Sequence, residues 1–574
     1  MPLQCCGSRP LSTRTGPLGR RSVMTIARRS ILKGTSAAGA ALAVGGATAQ
    51  PASASDGPAD GSPGGNADGP ASPLLQARPH RIGTPSVSGL HLQFGTDPAT
   101  EMTVSWITPQ SVRRPQVRLG SPDGGLGKVV QAETRTYRDA LGKDEVYVHH
   151  ARLGGLRPGT TYLYTAGHDG ASPETGSFTT APRGRTPFTF TSFGDQATPN
   201  LRRHLVFPDG MPSPLGKYPV YTSNQIGSPY AADIVAAVER VGPLFNLVNG
   251  DLCYASYSGR HGGSRTATWA DWFINNSRSA RLRPWMPCAG NHENESGNGP
   301  IGADGYQTYF TLPDSTADRD QETRGMWYAF TVGSVRFISL ANDDVAIQNS
   351  GETYLRGYSG GAQRRWLERE LRTARSSRAI DWIVVCMHHP MISSSKHGSG
   401  SDLGVREAWG PLFDAYGVDL VVSGHEHYYE RSHPVRGTLP NDTRTPVPTG
   451  TDPAVADTGR GTVHMVIGAG GNAATTQDDL FERPQGRVVI GLEDKPAPGA
   501  PYRESIWLTE DAPWAAYQDR TNTHGFAAFE VDPGDRRGGT TTMRVTYYTF
   551  DGPHADLTPV DTFTLHRPRT DGHD

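Results

Sequence analysis

The spacing of hydrophobic and polar residues divides this chain into two regions with different predicted structures. In residues 76–182 the two kinds of residue alternate with a period of two, as in EMTVSWIT, VYVHHARL and TYLYTAG, and turn residues separate these segments. Successive side chains of a strand point to opposite faces, so this period predicts an all-β region. Within it, His149 and His150 are interpreted as ordinary sheet residues.

From residue 186 onward the pattern changes to an alternation of strands and helices. Short apolar or β-rich runs occur as TPFTFTSF, PLFNLVN, PWMPCA, AIDWIVVCM and VDLVVS. The segments AADIVAAVERV and AQRRWLERELRTA read as helices. The second helix has one apolar face, made of Trp366, Leu367, Leu371 and Ala374. This alternation predicts a layered α/β domain over residues 186–566.

The first 75 residues have the pattern of a targeting signal followed by a linker. Arg28 and Arg29 precede the small-residue apolar run TSAAGAALAVGGATA, and residues 47–49 form an A-x-A cleavage site. We expect a twin-arginine signal peptide over residues 1–49 and hence a secreted or extracytoplasmic protein; the alternative is a basic, disordered tail. The apolar run is too short to predict stable membrane insertion. Residues 50–75 are of low complexity and are predicted to be a disordered linker.

Length, net charge and cysteine content limit the possible domain number, binding partners and disulfides. The chain has 574 residues, which is too long for one ordinary core, and a formal net charge of -2, which gives no reason to expect a nucleic acid or an anionic membrane as a partner. Two of its five cysteines lie in the predicted signal peptide. The other three, Cys253, Cys288 and Cys386, are too few for a disulfide framework and are predicted to pack as small hydrophobic residues.

Residues able to bind a metal follow each of the five predicted strands of the second region. They are Asp195, Asp251, Tyr254, Asn291, His292, His388, His425 and His427. In open α/β sheets, ligand sites form beyond the carboxyl ends of the strands. One Gly-Asp pair is ordinary turn chemistry, but five such strand ends in succession predict a single metal site. In the segment GHEHYYER, His425 and His427 share one face of an extended chain, and Glu426 points away from it.

These motifs carry a resemblance to a known family. G-D-x-x-Y, G-N-H-E, V-x-x-H and G-H-x-H followed by YYER resemble the ordered motifs of purple acid phosphatases within the calcineurin-like metallophosphoesterases. The resemblance is strongest over residues 186–432. In the first region, LRPGTTYLY and GSFTTAP resemble the end of a fibronectin type III-like sandwich. The resemblance implies an α/β fold, a four-layer αββα metallophosphoesterase sandwich, preceded by an all-β fibronectin III-like domain.

The resemblance also implies two sets of metal ligands. One metal would be held by Asp195, Asp251, Tyr254 and His427, and the other by Asp251, Asn291, His388 and His425, with Asp251 bridging them. Three anionic oxygens in the first set suit Fe3+, and the neutral imidazoles and amide of the second suit a divalent ion, Zn2+, Mn2+ or Fe2+. The family's D-x-G motif is Asp195-Gln196-Ala197 here, so we expect the ligand to be kept and the loop to differ slightly.

The activity implied is that of a secreted acid phosphatase, a phosphoric monoester hydrolase acting on small organic phosphate esters. A metal-held hydroxide would attack phosphorus, and acidic pH is expected. His292, beside ligand Asn291, would donate or orient a proton. His397 follows His388 by nine residues in a glycine-rich loop, and plant-type relatives have a histidine at about this spacing that meets the substrate phosphate. The alternative for His397 is a solvated loop residue.

Two other functions are compatible with parts of the sequence. One is an exported phosphodiesterase of the alkaline phosphatase D type, which also pairs a β domain with a metallophosphoesterase domain. The other is a non-catalytic protein that binds cell wall or polysaccharide through residues 76–182. The intact AGNHE and GHEHYYER segments favour the phosphatase, and the complete set of ligands argues against a non-catalytic protein. The sequence makes no prediction of the oligomeric state or the natural substrate.

Overall fold

The structure of the protein is a computed structural model. It describes residues 83–199, 227–256, 264–348, 356–472, 479–497, 503–521 and 524–572. The predicted signal peptide over 1–49 and the predicted linker over 50–75 lie outside the described residues. Within the described ranges, no helix combines the length and the apolar character that crossing a membrane requires.

Two antiparallel four-stranded sheets form the first region. Its eight strands among the described residues are β1 (Ser88–Phe94), β2 (Met102–Thr108), β3 (Gln116–Ser121), β4 (Gly125–Gln131), β5 (Glu133–Arg138), β6 (Glu145–Leu153), β7 (Thr161–Gly167) and β8 (Glu174–Thr179). The sheet orders are β1-β2-β6-β5 and β4-β3-β7-β8. The predicted strands EMTVSWIT, VYVHHARL and TYLYTAG are β2, β6 and β7, so the all-β prediction is confirmed.

Two larger sheets form the second region. Their strands are β9 (Phe188–Phe193), β10 (Phe245–Val248), β11 (Trp285–Pro287), β12 (Tyr328–Val332), β13 (Val335–Ser339), β14 (Trp382–Cys386), β16 (Leu420–Ser423), β17 (Tyr429–Ser432), β20 (Val455–Asp457), β21 (Val463–Ile467), β24 (Ala515–Gln518), β25 (Gly525–Asp532), β26 (Thr540–Thr549) and β27 (Thr558–Pro568). The orders are β11-β10-β9-β25-β26-β27-β20 and β12-β13-β14-β16-β21-β17-β24. Smaller sheets join β15 (Ser401–Asp402), β22 (Gln485–Leu492) and β23 (Ser505–Asp511), and pair β18 (Val435–Thr438) with β19 (Pro446–Pro448).

Helices pack against both large sheets and against the first region. Those in the described ranges are α1 (Tyr230–Val241), α2 (Arg265–Ala280), α3 (Asp304–Tyr309), α4 (Ala362–Ser376) and α5 (Leu403–Tyr416), and short 3-10 helices cover Asn291–Glu293, Thr316–Arg319, Gln321–Thr323, Asn342–Asp344 and Thr570–Gly572. Helix α1 contacts β25 of one sheet, and α4 contacts β14 of the other. The predicted apolar face of α4 is buried. The four-layer αββα fold is therefore confirmed.

The sheets pack face to face through aromatic rings. Phe337 of β13 lies edge-on to Phe190 of β9 and Phe245 of β10, with ring centroids 5.0 and 5.1 Å apart. Strands β9, β10 and β11 run parallel in one sheet, and β14 and β16 run parallel in the other. The carboxyl ends of all five predicted ligand-bearing strands consequently meet at one edge of the sandwich.

Buried polar contacts join the β region to the layered region. The hydroxyl of Tyr137 donates to Glu295 Oε2 at 2.6 Å, and Trp269 Nε1 donates to Glu295 Oε1 at 2.6 Å. Arg265 and Asp139 form an ion pair that is almost fully buried. The two regions therefore share a buried polar interface. A domain boundary between residues 182 and 186 stays a prediction.

Candidate metal centre

The loops that carry the predicted ligands have a strained backbone. Asp195, Asp251, Tyr254 and His425 have φ values of 56°, 49°, 59° and 73°. A left-handed backbone costs a residue with a Cβ atom about 1–2 kcal/mol. Such strain persists only where the surrounding structure holds it, and it clusters at functional sites. The four residues therefore mark one tightly held site.

Ala197 stands where the family's D-x-G motif has glycine. Its φ is 61°, which is the conformation that glycine adopts at no cost. The loop is thus left-handed at a residue that carries a Cβ atom, and Ala197 is fully buried. That the loop differs slightly from the family's loop stays a prediction. Asp195 stays buried beside it.

One group of predicted ligands surrounds His388; we call Asp251, Asn291, His388 and His425 the Asp251 group. His388 Nε2 lies 3.2 Å from Asp251 Oδ2, 3.1 Å from Asn291 Oδ1 and 3.2 Å from His425 Nδ1. The ligand atoms of Asp251, His388 and His425 all lie within 4.8 Å of one another. This spacing allows one small cation to touch all of these donors.

The remaining ligands form a second group beside the first; we call Asp195, Tyr254 and His427 the Tyr254 group. The Tyr254 hydroxyl lies 3.1 Å from Asp195 Oδ1 and 3.3 Å from His427 Nε2, and His427 Nε2 lies 3.4 Å from Asp195 Oδ1. The backbone N–H of His425 donates to Asp195 Oδ2 at 2.9 Å, which ties the two groups together. The structure thus brings all seven predicted ligands into two adjacent groups. That Asp251 bridges two metals stays a prediction.

Hydrogen bonds on the outer side of two imidazoles turn their free nitrogens inward. His388 Nδ1 donates to the carbonyl of Asn249 at 2.8 Å, and His425 Nε2 donates to Gln348 Oε1 at 3.0 Å. In the neutral form that binds a metal, each imidazole has one N–H, so these bonds leave the lone pairs of His388 Nε2 and His425 Nδ1 for the metal. Sequence reasoning missed Gln348, which belongs to no motif.

Glu293 anchors two of the ligand loops to each other. Its buried carboxylate accepts hydrogen bonds from the backbone N–H groups of Asp251, Leu252 and Gly290, each at 2.8 Å. Burial, together with the charge of Asp251, raises the pKa of Glu293 to about 8. Glu293 stands in the AGNHE motif, where only its neighbours were assigned a role.

Asn472 is a further residue that sequence reasoning missed. Its Nδ2 lies 2.7 Å from both the Tyr254 hydroxyl and His427 Nε2. It follows β21 at the end of the GAGGN stretch, and His524 Nε2 donates to its backbone carbonyl at 2.8 Å. The signals in the sequence are this glycine-rich turn at a strand end and the similarity of the segment GTVHMVIGAGGN to the family, neither of which assigns a role to Asn472.

The charges of the site favour a bound cation. Burial raises the pKa of Asp195. Burial would also raise the pKa of Asp251, but the neighbouring His388 and His292 hold it below the usual value. Burial lowers the pKa of His388, but the charge of Asp251 outweighs it and raises this pKa to about 10. The carboxylates thus attract positive charge to the site. The inward-facing oxygen and nitrogen atoms of the two ligand groups fit metal ions.

His292 lies close to both groups. Its backbone N–H donates to Asp251 Oδ1 at 2.9 Å, and its Nδ1 lies 3.0 Å from Ser256 Oγ. Its Nε2 is 4.0 Å from Asp251 Oδ2, and its ring centroid is 4.5 Å from that of Tyr254. The structure therefore brings this predicted proton donor to the metal site.

His397 differs from the other predicted site residues, because it is exposed and the structure gives it no hydrogen bond to a described residue. Its role stays a prediction. His389 packs on His425 with ring centroids 4.2 Å apart, and its Nδ1 lies 3.2 Å from Asp343 Oδ1. Cys253, Cys288 and Cys386 are buried and form no disulfide among the described residues, and the Sγ of Cys386 contacts Asn249 Oδ1 at 3.3 Å.

Two protein-family models match the chain. The model for the purple acid phosphatase N-terminal domain matches residues 87–180, and the model for calcineurin-like phosphoesterases matches residues 226–429. The second match contains every predicted ligand except Asp195, which lies between the two ranges. The matched ranges together span the β region and most of the metal site.

Similar proteins occur in bacteria and plants. An uncharacterised protein of Mycobacterium tuberculosis strain H37Rv is 56% identical over 489 residues, which are 85% of this chain and 89% of that protein. The Fe(3+)-Zn(2+) purple acid phosphatase 12 of Arabidopsis thaliana is 25% identical over 401 residues, which are 70% of this chain and 75% of that protein.

Two solved structures share the fold. The purple acid phosphatase PPD1 of yellow lupin has a TM-score of 0.59 at 21% identity, covering 85% of this chain and 75% of its own. The structure of PhoD has a TM-score of 0.53 at 14% identity, covering 86% of this chain and 92% of its own. At these identities the likeness concerns the fold alone.

Proposed function

Because the chain belongs to the purple acid phosphatase family of calcineurin-like metallophosphoesterases, we propose that it hydrolyses phosphomonoesters at a dinuclear metal centre. The observation that carries the proposal is the convergence of seven ligand side chains into the adjacent Asp251 and Tyr254 groups. Metal ions in such a pair, when bound, supply a hydroxide nucleophile and neutralise charge on the phosphoryl group.

The donor chemistry supports different metals in the two groups. Carboxylate and phenolate oxygens dominate the Tyr254 group, which suits Fe3+. Neutral imidazoles and an amide dominate the Asp251 group, which suits a divalent ion such as Zn2+, Mn2+ or Fe2+. The relative from Arabidopsis thaliana is named for Fe(3+) and Zn(2+), which supports the same assignment.

Two histidines are assigned to proton transfer and substrate binding. His292 Nε2 lies beside the Asp251 group, and the Ser256 hydroxyl fixes its ring, so it can donate a proton or a hydrogen bond to an ester oxygen. His397, on an exposed loop, is proposed to meet the substrate as its leaving group departs. We assign small organic phosphate esters as substrates and acidic pH as the working range.

Export is part of the proposal. The pair Arg28 and Arg29 before a small-residue apolar run supports passage through the twin-arginine route to an extracytoplasmic location. Replacing both arginines by lysine removes the guanidinium pair that the route reads. The double variant should stay inside the cell, and undiminished secretion of it would exclude this signal.

One experiment separates the phosphatase from its rivals. The purified chain is analysed for bound metals and assayed on 4-nitrophenyl phosphate and bis(4-nitrophenyl) phosphate, with Asp251→Asn as the inactive control. Faster hydrolysis of the monoester supports the proposal. Faster hydrolysis of the diester would point to a phosphodiesterase of the alkaline phosphatase D type. The structure of PhoD has the same fold as this chain, so the fold does not separate the two functions. Bound metals with no hydrolysis of either ester would point to a binding protein.

A further inference from the structure

The segment GHEHYYER has two faces, and only one of them faces the metal ligands. His425 and His427 belong to the two ligand groups. The intervening residues Glu426, Tyr428 and Glu430 are all buried, with 2%, 2% and 0% of their surface exposed. The sequence predicted this division from an extended chain, but residues 425–428 form bends and His425 has a left-handed φ of 73°, so a bent backbone produces the two faces. The second face must therefore satisfy two buried carboxylates by other contacts.

Three consecutive serines of the His397 loop supply those contacts; by the His397 loop we mean residues 393–400. The Ser393 hydroxyl lies 3.0 Å from the Tyr428 hydroxyl, and the backbone N–H of Ser394 donates to Glu430 Oε1 at 3.0 Å. The Ser395 hydroxyl hydrogen-bonds Glu426. The serines thus hold the start of the loop, residue by residue, against the segment that carries the metal ligands.

Glu426 also holds the end of the same loop. Its Oε1 accepts a hydrogen bond from the backbone N–H of Gly400. The Ser395 hydroxyl in turn accepts from the N–H of Gly398 at 2.7 Å. A Cβ atom at Gly398 would lie 2.5 Å from Glu426 Oε2 and 2.4 Å from Ser395 Oγ, so only glycine lets the loop close this tightly. One carboxylate therefore joins both ends of the exposed turn that contains Lys396 and His397.

We propose that Glu426 is a positioning residue that fixes the His397 loop beside the metal centre. His425 and His427 flank it, so the segment that holds the metal ligands also sets the place of the loop that meets the substrate. This inference rests on the proposed phosphatase function for its kinetic part. Its structural part, the closure of the loop by Glu426, is independent of any activity.

The first measurement is the rate of tryptic cleavage after the exposed Lys396, which reports how often the His397 loop opens. Glu426→Leu removes the acceptor of Gly400 N–H and of the Ser395 hydroxyl. A buried donor left without an acceptor costs about 1–3 kcal/mol, so the open population, and with it the cleavage rate, should rise about 10- to 100-fold. Glu426→Gln keeps a carbonyl acceptor and should stay near the parent rate. Glu407→Gln, at a half-exposed glutamate of α5, is the matched control.

Ser395→Ala is the second variant, and it covers the case in which Glu426→Leu fails to fold. It removes the hydroxyl that links Glu426 to Gly398 N–H and should also speed the cleavage after Lys396. Unchanged cleavage in either folded variant would overturn the proposal. Bound metal is measured in every sample, and loss of metal from Glu426→Leu at a parental cleavage rate would equally overturn it.

The second measurement reads the effect on the reaction. With an alkyl phosphate, whose leaving group needs a proton, Glu426→Leu should lower kcat about tenfold or more, within the range that a positioned acid contributes. With 4-nitrophenyl phosphate the loss should be smaller. In a His397→Ala background, Glu426→Leu should cause no further loss, because it acts through the loop. Additive losses would overturn the proposal. If the parent protein hydrolyses no ester, the proposed function fails, and the cleavage assay still decides whether Glu426 closes the loop.

Discussion

Gln348→Leu should weaken the binding of the divalent metal without removing the other one. Gln348 is buried, and its Oε1 accepts from His425 Nε2 at 3.0 Å. To bind a metal through Nδ1, His425 must keep its proton on Nε2, and leucine would leave that buried N–H without an acceptor. In the metal-free protein the proton can move to Nδ1. The cost of the lost hydrogen bond therefore falls on the metal-bound state.

The size of the effect follows from that cost. A buried donor left without a partner costs about 1–3 kcal/mol. At about 1.4 kcal/mol for each factor of ten, the affinity should fall about 5- to 150-fold. This range agrees with the roughly 10- to 100-fold loss found when outer partners of metal-binding histidines are replaced. His425 belongs to the Asp251 group, so Tyr254, on the other side, should keep its metal.

The assay is dialysis against graded chelator, followed by analysis of both metals and a visible spectrum. Gln348→Leu should release the divalent ion at lower chelator concentration and retain the iron with its absorption band. Gln348→Glu keeps an acceptor and should resemble the parent. Gln93→Leu, at a buried glutamine of β1, a strand that carries no predicted ligand, is the matched control. Parallel loss of both metals, or a divalent affinity within twofold of the parent, would refute the reasoning.

Three further predictions use the same centre. Tyr254→Phe removes the phenolate proposed to bind Fe3+ and should abolish the visible charge-transfer band; a colourless parent with full iron and activity would contradict the assignment. Asp251→Asn should lose more of both metals than Asn291→Ala, as measured by metal analysis, because it removes a charge between them; normal metal content would exclude the bridging role. Ala197→Gly should change the free energy of unfolding in urea by less than about 1 kcal/mol, because relief of about 1–2 kcal/mol of left-handed strain is offset by the entropy cost of glycine and by loss of the methyl that packs on Tyr254; a loss above about 2 kcal/mol would show that the left-handed backbone carries no strain.

Local pattern predicted much of this molecule. The strands, the helix face with Trp366 and the seven ligands at strand ends all follow from periodicity and motif order. The place of β25 does not, because it pairs with β9 more than 300 residues earlier, and such long-range pairing leaves no trace in a short window. The roles of Gln348 and Asn472 were not predicted for the same reason, because each residue contacts the ligands only in the folded chain.

One strand shows why period alone is incomplete. The alternation in EMTVSWIT predicts one polar, solvated face, yet every residue of β2 is buried. The hydroxyl of Ser105 on β2 lies 2.8 Å from His150 Nδ1, and His150 Nε2 donates to the carbonyl of Thr308 in the layered region at 2.9 Å. Polar residues on a strand thus bond to a neighbouring region as readily as to water, and the sequence does not say which.

The hydrogen bond from Tyr137 to Glu295 has a consequence for how the chain can be divided. Glu295 is fully buried, three residues after His292, and Tyr137 of the β region is one of its donors. A fragment starting at residue 186 would lack Tyr137 and Asp139 and would expose to water Glu295 and Arg265, which are buried against the β region in the whole chain. Recombinant production of the layered region by itself should therefore give an insoluble or inactive fragment, and swapping its β region for that of a relative would require Tyr137 to be kept.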